Sequence, residues 1–356
     1  MLRVLAALTL LAFAAPAFAD DKDKPKPNTL TPKEIADGWI LLFDGETTFG
    51  WKVEGEAEVK NGELIVGGQK PTKLTSTSRF CGVALNLSYR TADGEPAKGG
   101  RISQGEIAKE FTKVIREKNR MPWTSGRQVA APFVIEVPAG QTIIFDRLPV
   151  QPSNGDRNTP PVLSPLFTGK NLDGWKVNAA DPKRMASKWE VTKDGELSVK
   201  NGPGDLVTDK EFDNFVLQFE CKTNGKALNS GIFFRCIPGQ YQNGYEAQIQ
   251  NAFVGEDRTK PVDFGTGAIY RRVPARKVVS NDNEWFTMTV VADGKHISTW
   301  VNGYQTVDWT DDRKEDENPR KGYRAAKGPL SIQGHDPTTD ILFRNIRIAK
   351  LPTEKK

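Results

Sequence analysis

The chain repeats itself. Leu41-Leu42-Phe43-Asp44-Gly45, followed by Gly50-Trp51-Lys52-Val53, returns as Pro165-Leu166-Phe167-Thr168-Gly169, followed by Gly174-Trp175-Lys176-Val177. Each copy leads into a turn and a strand-like run, Lys60-Asn61-Gly62-Glu63-Leu64-Ile65-Val66 in the first and Lys193-Asp194-Gly195-Glu196-Leu197-Ser198-Val199 in the second. A third match, in the same order, pairs Phe80…Val83-Ala84-Leu85-Asn86-Leu87…Thr91 with Phe212…Phe215-Val216-Leu217-Gln218-Phe219…Thr223. Three matches in one order imply two related domains, expected over 33–149 and 164–352 with a Pro-, Ser- and Asn-rich linker at 150–163.

Nearly every element reads as a short strand closed by Asn-Gly or Asp-Gly, as at Asn61-Gly62, Asp194-Gly195, Asp293-Gly294 and Asn302-Gly303. Those dipeptides accept the positive φ angles of tight hairpins, so an all-β jelly-roll sandwich is predicted for the second domain and a shorter related β domain before it. Strands are expected near 188–192, 196–200, 205–209, 214–223, 230–237, 244–251, 267–271, 284–292, 295–302, 329–334 and 340–349. The charged run 310–327 reads first as a solvated surface loop and second as a rim of the site. One helix, about Gln104 to Lys118, is predicted in the first domain. Ser103-x-x-Glu106 has the form of a capping box, and Ile107, Phe111, Val114 and Ile115 continue as a helical stripe.

Arg3, the apolar run Val4 to Ala15 and the Ala17-Phe18-Ala19 end have the layout of a secretory signal. Cleavage after Ala19 is expected, leaving a flexible leader over 20–32, no membrane span and a periplasmic or secreted protein. The net charge of +5 arises from 50 basic side chains scattered among 45 acidic ones, which argues against a nucleic-acid groove. Three cysteines are too few for a disulfide scaffold. Cys221 and Cys236 are open to a cross-strand disulfide or to burial as free thiols. Nucleophile-elbow, phosphate-loop and dinucleotide fingerprints are absent from the sequence.

The stretch Asn229 to Asn251 holds the candidate chemistry. Alternation sets Tyr245, Ala247 and Ile249 on one strand face and Glu246, Gln248 and Gln250 on the other; Phe233 and Arg235 stand opposite Ile232 and Phe234. By the same rule Gln333 and His335 oppose Leu330 and Ile332, Tyr270 opposes Ile269, and Trp300 with His296 opposes Ile297 and Val301. Such a mixture of a carboxylate, amides, a guanidinium, an imidazole and aromatic rings suits a sugar, whose C–H faces stack and whose hydroxyls need planar partners. A plainer reading pairs Glu246 with Arg235 as a strand ion pair, leaves His335 to a turn before Asp336, and packs Phe233 and Trp300 into a core.

Asn229-Ser-Gly-Ile-Phe-Phe-Arg235, Gly244-Tyr-Glu-Ala-Gln-Ile249, Thr266-Gly-Ala-Ile-Tyr270, Glu284-Trp285, Val301-Asn-Gly303, Gln333-Gly-His335 and Phe343-Arg-Asn-Ile-Arg347 follow the two Leu-Phe-x-Gly…Gly-Trp openings. In this order they resemble the 3-keto-disaccharide hydrolase family, over Ser164 to about Leu351. The resemblance implies a concanavalin-like jelly roll and action on glycosides oxidised to a ketone at C3. That ketone acidifies the C2 hydrogen, so a base removes it, the enolate expels the C1 substituent, and water adds to the unsaturated sugar. Glu246 is the candidate acid or base. His335 is its candidate partner, at the leaving oxygen or holding a metal or water. Asn229, Phe233, Arg235, Gln248, Tyr270, Trp300 and Gln333 are the candidate substrate contacts. A divalent metal is compatible with enolate stabilisation, although no recognised metal motif is present. The first domain matches only the entry strands, and none of the site motifs recurs there. The second departs from the family pattern at Gln250-Asn251, where an acid commonly stands. A non-catalytic carbohydrate-binding tandem sandwich is the alternative, because jelly rolls serve as lectins as well as enzymes.

Overall fold

The computed structural model describes residues 28–105, 107–111, 121–123, 130–153 and 163–352. The expected signal segment lies outside them. Among the described residues no helix is long and apolar enough to cross a membrane.

Residues 164–350 form two antiparallel sheets packed face to face. The larger runs Lys188–Val191, Leu197–Lys200, Asp340–Lys350, Phe215–Thr223, Phe286–Asp293, His296–Val301, Tyr304–Thr310, with Ser164–Pro165 also on Asp340–Lys350. The smaller runs Trp175–Val177, Gly204–Phe212, Gly328–Gly334, Ser230–Phe234, Tyr245–Ile249. Alternation fixes which face is apolar. Leu206, Ile232, Ala247, Leu330 and Ile332 of the smaller sheet share one core with Leu217, Phe219, Met288, Val290 and Phe343 of the larger. Each such side chain contributes about 1.5–3 kcal/mol on burial, which fixes the register, since a slip of one residue would turn the whole set outward. The hairpin between His296–Val301 and Tyr304–Thr310 turns at Asn302 (φ 49°) and Gly303 (φ 82°), as the dipeptide predicts. The expected strand at 267–271 is reduced to isolated bridges, among them Ala247 with Ile269, while Tyr304–Thr310 is a strand not foreseen.

The sequence repeat has a physical counterpart. The Trp51 indole donates to Leu42 O at 2.5 Å, and the Trp175 indole donates to Leu166 O at 3.1 Å, the same nine-residue span. The likeness extends beyond the entry strands on which the sequence shows it. In the first half, Trp51–Glu54, Thr72–Phe80, Ala131–Val137, Arg101–Gln104 and Ile107–Glu110 form a five-stranded sheet whose order matches that of the smaller sheet above. Leu74, Ile135 and Ile102 align across it as Leu206, Ile332 and Ile232 do in the second half. The hairpin Arg101–Gln104 to Ile107–Glu110 therefore replaces the start of the helix expected from Gln104. Ser103, the first residue of the capping-box pattern, is a strand residue paired with Ala108, and Glu106 lies outside the described residues. Residues 112–118 of that expected helix lie outside the described residues. A capping box does occur at Thr31 and Glu34, heading the helix Pro32–Ala36.

Two expected boundaries also shift. Pro149–Ser153 is a strand paired with Gly82–Leu85 and with Ile40–Leu41, so only residues after it remain for a linker, and 154–162 lie outside the described residues. Asn28, within the span expected to be a flexible leader, has a buried side chain that donates to Gly62 O, and Pro32–Ala36 is helical.

The first half packs on the outer face of the larger sheet. Val216, Val291 and Trp300 project from that sheet into the same apolar cluster as Phe80 and Val150. Polar contacts border the seam: Ser78 Oγ with Ser298 Oγ at 2.7 Å, Arg79 with Asp293 at 2.6 Å, and Gln218 Nε2 donating to Gly38 O at 2.7 Å. Cys81, Cys221 and Cys236 are buried thiols, and Cys221 and Cys236 form no disulfide. Burial pushes the Cys221 thiol well up, away from reactivity.

Candidate functional site

The face of the smaller sheet turned away from the core is also polar, and loops close over it. Together they enclose a cavity of about 510 Å³, within the usual range for a small-ligand site. Glu246 and Gln248 project into it from Tyr245–Ile249, Phe233 from Ser230–Phe234, and Gln333 and His335 from the end of Gly328–Gly334. Asn229 and Tyr270 complete the set from the flanking loops. Seven of the nine residues expected at a site thus share one cavity.

Arg235 and Trp300 do not, and each has a physical reason. Arg235 lies one residue beyond its strand in the left-handed region (φ 49°), so the alternation that aimed it at Glu246 no longer applies. Its guanidinium is fully buried and donates to Asp213 O and Gly294 O at 2.8 Å and to Asn214 Oδ1 at 3.0 Å. It forms no ion pair with Glu246. Trp300 does oppose Ile297 and Val301, but its strand belongs to the larger sheet, so that face meets the first half. Its indole donates to Leu41 O at 3.0 Å and packs near Phe80. His296 shares that face, is half-buried and bonds Asp308 Oδ1 at 2.7 Å.

Glu246 is 6 % exposed, and among the described residues its carboxyl makes no hydrogen bond or ion pair. Burial, helped by the nearby negative charge of Asp263, pushes its pKa up to about 8, against the opposing pull of Arg271 and Arg320. Space for the carboxyl comes from Gly231, diagonally across the ladder: a Cβ there would stand 2.5 Å from Glu246 Oε1. This gives the Asn229-Ser230-Gly231 motif a mechanical meaning. Ser230 ties its strand to the next by donating to Gln333 O at 2.7 Å, and Gly231 leaves room for the acid. Gly231→Ala is expected to displace the carboxyl and to lower kcat by about tenfold or more with the fold retained, as read by steady-state kinetics beside circular dichroism.

Two acids escaped the sequence reading. Asp263, in the loop after the Tyr-Glu strand, accepts from Asn229 Nδ2 at 2.7 Å and from Gln248 Nε2 at 3.2 Å, fixing both amides. Nothing periodic marks it, because the loop has no repeat. Asp205, fully buried, accepts from Ser331 Oγ at 3.0 Å on the same sheet face, opposite Gln333. Burial raises its pKa too. Its alternation with Leu206 was a signal that could have found it. Gln250 and Asn251, where the sequence departs from its relatives, brace loops instead. Asn251 Oδ1 accepts from Thr266 Oγ1 and Ser280 Oγ, both at 2.6 Å, and Gln250 donates to Ala227 O. Neither lines the cavity.

Gln248 Oε1, Gln333 Oε1 and Asp205 Oδ1 are buried with no partner. Buried acceptors left unsatisfied are costly. Two of them, on Gln248 and Gln333, belong to residues that line the cavity and suit a donor-rich ligand or water. His335 bonds Asp336 Oδ2 through Nδ1 at 2.8 Å, which leaves Nε2 for the cavity. Among the described residues no group of three or more His, Cys, Asp or Glu side chains is placed to hold a metal ion. The donor set among the described residues does not fit a protein-held metal.

Fold and cleft define an all-β sandwich with a polar, carbohydrate-type pocket on one sheet. Residues 163–349 match the model of the 3-keto-alpha-glucoside-1,2-lyase-like domain, and the chain belongs to that family. No curated protein matches. Two solved structures, both candidate glycosyl hydrolases from Parabacteroides distasonis, are similar to it. One is 25% identical, covering 52% of this chain and 93% of its own at a TM-score of 0.43; the other is 29% identical, covering 53% and 98% at 0.39. A carbohydrate-binding module, CBM66 from Bacillus subtilis, is 13% identical over 52% of this chain and 99% of its own, at a TM-score of 0.34.

Proposed function

We propose that the second half is a glycoside-cleaving enzyme acting on 3-keto-glycosides by elimination and hydration. The observation that carries this reading is the buried, unpartnered Glu246 carboxyl in a cavity whose remaining polar groups suit sugar hydroxyls. Phe233 and Tyr270 offer apolar surface to the sugar ring, while Gln248, Gln333 and Asn229 meet hydroxyls. Glu246 removes the C2 proton; the electron pair of that C–H bond moves into a C2–C3 enolate, and the negative charge falls on the C3 oxygen. Arg271, the guanidinium that acts most strongly on Glu246, stabilises that charge, and such a preorganised donor typically supplies a few kcal/mol. Collapse of the enolate breaks the C1–O bond, and His335, oriented by Asp336, protonates the departing oxygen. Water then adds across the double bond and completes the net hydrolysis.

A base with a pKa of about 8 suits work near neutrality, since a Brønsted base is most useful close to the operating pH. The rate is expected to rise with pH and level off above about 8. A profile that instead falls above that pH would make Glu246 the acid and not the base. The decisive assay incubates the full chain with a 3-keto-glucoside and follows loss of the ketone chromophore and release of the aglycone. Absence of turnover together with sugar binding would overturn the enzyme reading in favour of a carbohydrate-binding sandwich.

The first half has a different part in this reading. The position equivalent to Glu246, opposite Ser103 as Glu246 is opposite Phe233, is Ala108, and it is exposed. We infer that this copy carries no chemistry and supports the larger sheet from behind. With the leader expected before it, the reaction takes place outside the cytoplasm.

A further inference from the structure

The cavity carries more positive charge than the proposed reaction needs. Arg184, Arg271, Arg272 and Arg320 line it, and the one carboxylate in the lining, Glu246, is largely neutral near pH 7 because its pKa stands at about 8. A single transient enolate calls for one cation. Two of the others converge on one turn at the rim although they come from distant segments. Arg184, at the end of the short turn Pro182–Arg184, stacks over the Tyr241 ring at 4.2 Å. Arg320, from the loop between Thr310 and Gly328, donates through Nη2 to Gln242 O at 2.9 Å.

Neither guanidinium is neutralised. Arg320 has no carboxylate partner among the described residues. Arg184 pairs with Asp181 at 3.3 Å, through side chains that are 47% and 43% exposed, a geometry that contributes little in water, and beyond that feels the charge of Asp205, whose own pKa burial raises. Arg272 braces the same loop by donating to Pro319 O and Arg320 O, both at 3.0 Å, which holds Arg320 in place. Guanidiniums held on the wall of a ligand cavity, one with a solvent-exposed ion pair and one with no carboxylate partner among the described residues, fit planar anions by paired N–H donors and do so better than an ammonium would.

Building on the reading of this cavity as a 3-keto-glycoside site, we propose that the substrate is an acidic saccharide, whose anionic group, a carboxylate or a sulfate, is bound by Arg184 and Arg320 at the Tyr241–Gln242 rim. Both guanidiniums are anchored on the adjacent residues Tyr241 and Gln242, so an anionic group bound at that rim meets two cations where a hydroxyl would neutralise neither.

The test compares matched 3-keto-glycosides whose second sugar is neutral, a uronate, or sulfated, measuring kcat/KM on the full chain, with binding of the unoxidised disaccharides measured by calorimetry at low and raised salt. At least tenfold preference for one acidic form is expected, weakening as salt rises, and whichever of the uronate and the sulfated form is preferred names the group. Arg184→Ala and Arg320→Ala are each expected to reduce the acidic-to-neutral ratio by about tenfold, with partial recovery in Arg320→Lys. Turnover of all three forms at equal rates would overturn the acidic specificity while leaving the proposed reaction standing. Tight, salt-sensitive binding of an acidic form without turnover would keep the anion site and remove the reaction. No binding and no turnover of any form would remove both.

Discussion

Glu246→Gln is expected to lower kcat for a 3-keto-glycoside by two to four orders of magnitude, the usual contribution of a positioned acid or base, while the protein stays folded. The amide keeps the size and polarity of the carboxyl and loses only the proton transfer. A second consequence follows from burial. The folded protein holds the Glu246 proton up to about pH 8, whereas an unburied glutamate releases it near 4.5. Between these values the folded state binds more protons than the unfolded one, so stability falls as pH rises. The contribution is complete below about 4.5 and is lost through about 8, at a slope of up to about 1.4 kcal/mol per pH unit. Denaturant titrations at pH 6 and pH 9 should show this slope in the parent protein and its loss in Glu246→Gln. An unchanged rate in that variant would remove Glu246 from the mechanism. An unchanged slope would mean that the carboxyl is not held in a low-dielectric site.

Trp300→Ala is expected to act on the other side of the sandwich. The indole is 1 % exposed, joins the apolar cluster shared by the two halves and donates to Leu41 O. Truncation should cost about 3–5 kcal/mol, the usual range for a buried Trp, and leave Leu41 O without its donor. Thermal unfolding should therefore begin earlier, with sugar binding retained at temperatures where the variant is still folded. Loss of binding with unchanged stability would return Trp300 to the cavity and contradict its place at the seam. Because one variant reports on the cavity and the other on the seam, the two effects should be independent.

Much of this was legible in the chain. Turn dipeptides and two-residue alternation gave the strands, their inward faces and the repeat. The Asn229–Asn251 stretch already aimed Glu246, Gln248 and Phe233 to one side. Failures occurred where a local rule met a non-local fact. Ser103-x-x-Glu106 satisfies a helix-capping pattern, but Ile102 is needed beside Ile135 in a sheet, and tertiary pairing overrode the local signal. Arg235 escaped alternation because one left-handed residue ends the strand. Asp263 and the four arginines sit in loops or at element ends, where no periodicity announces which way a side chain faces.

By itself, then, the sequence determined an all-β sandwich, a doubled architecture and the polar strand faces, because these depend on short-range steric and hydrophobic periodicity. Only the tertiary structure decided which polar face becomes a cavity and which becomes a seam. Trp300 and Glu246 obey the same alternation, yet one strand lies in the larger sheet and is covered by the first half, while the other lies in the smaller sheet and is roofed by loops. Alternation tells inside from outside within a strand. It carries no information on what the outside meets, and that is set by which sheet the strand joins and by what packs against it.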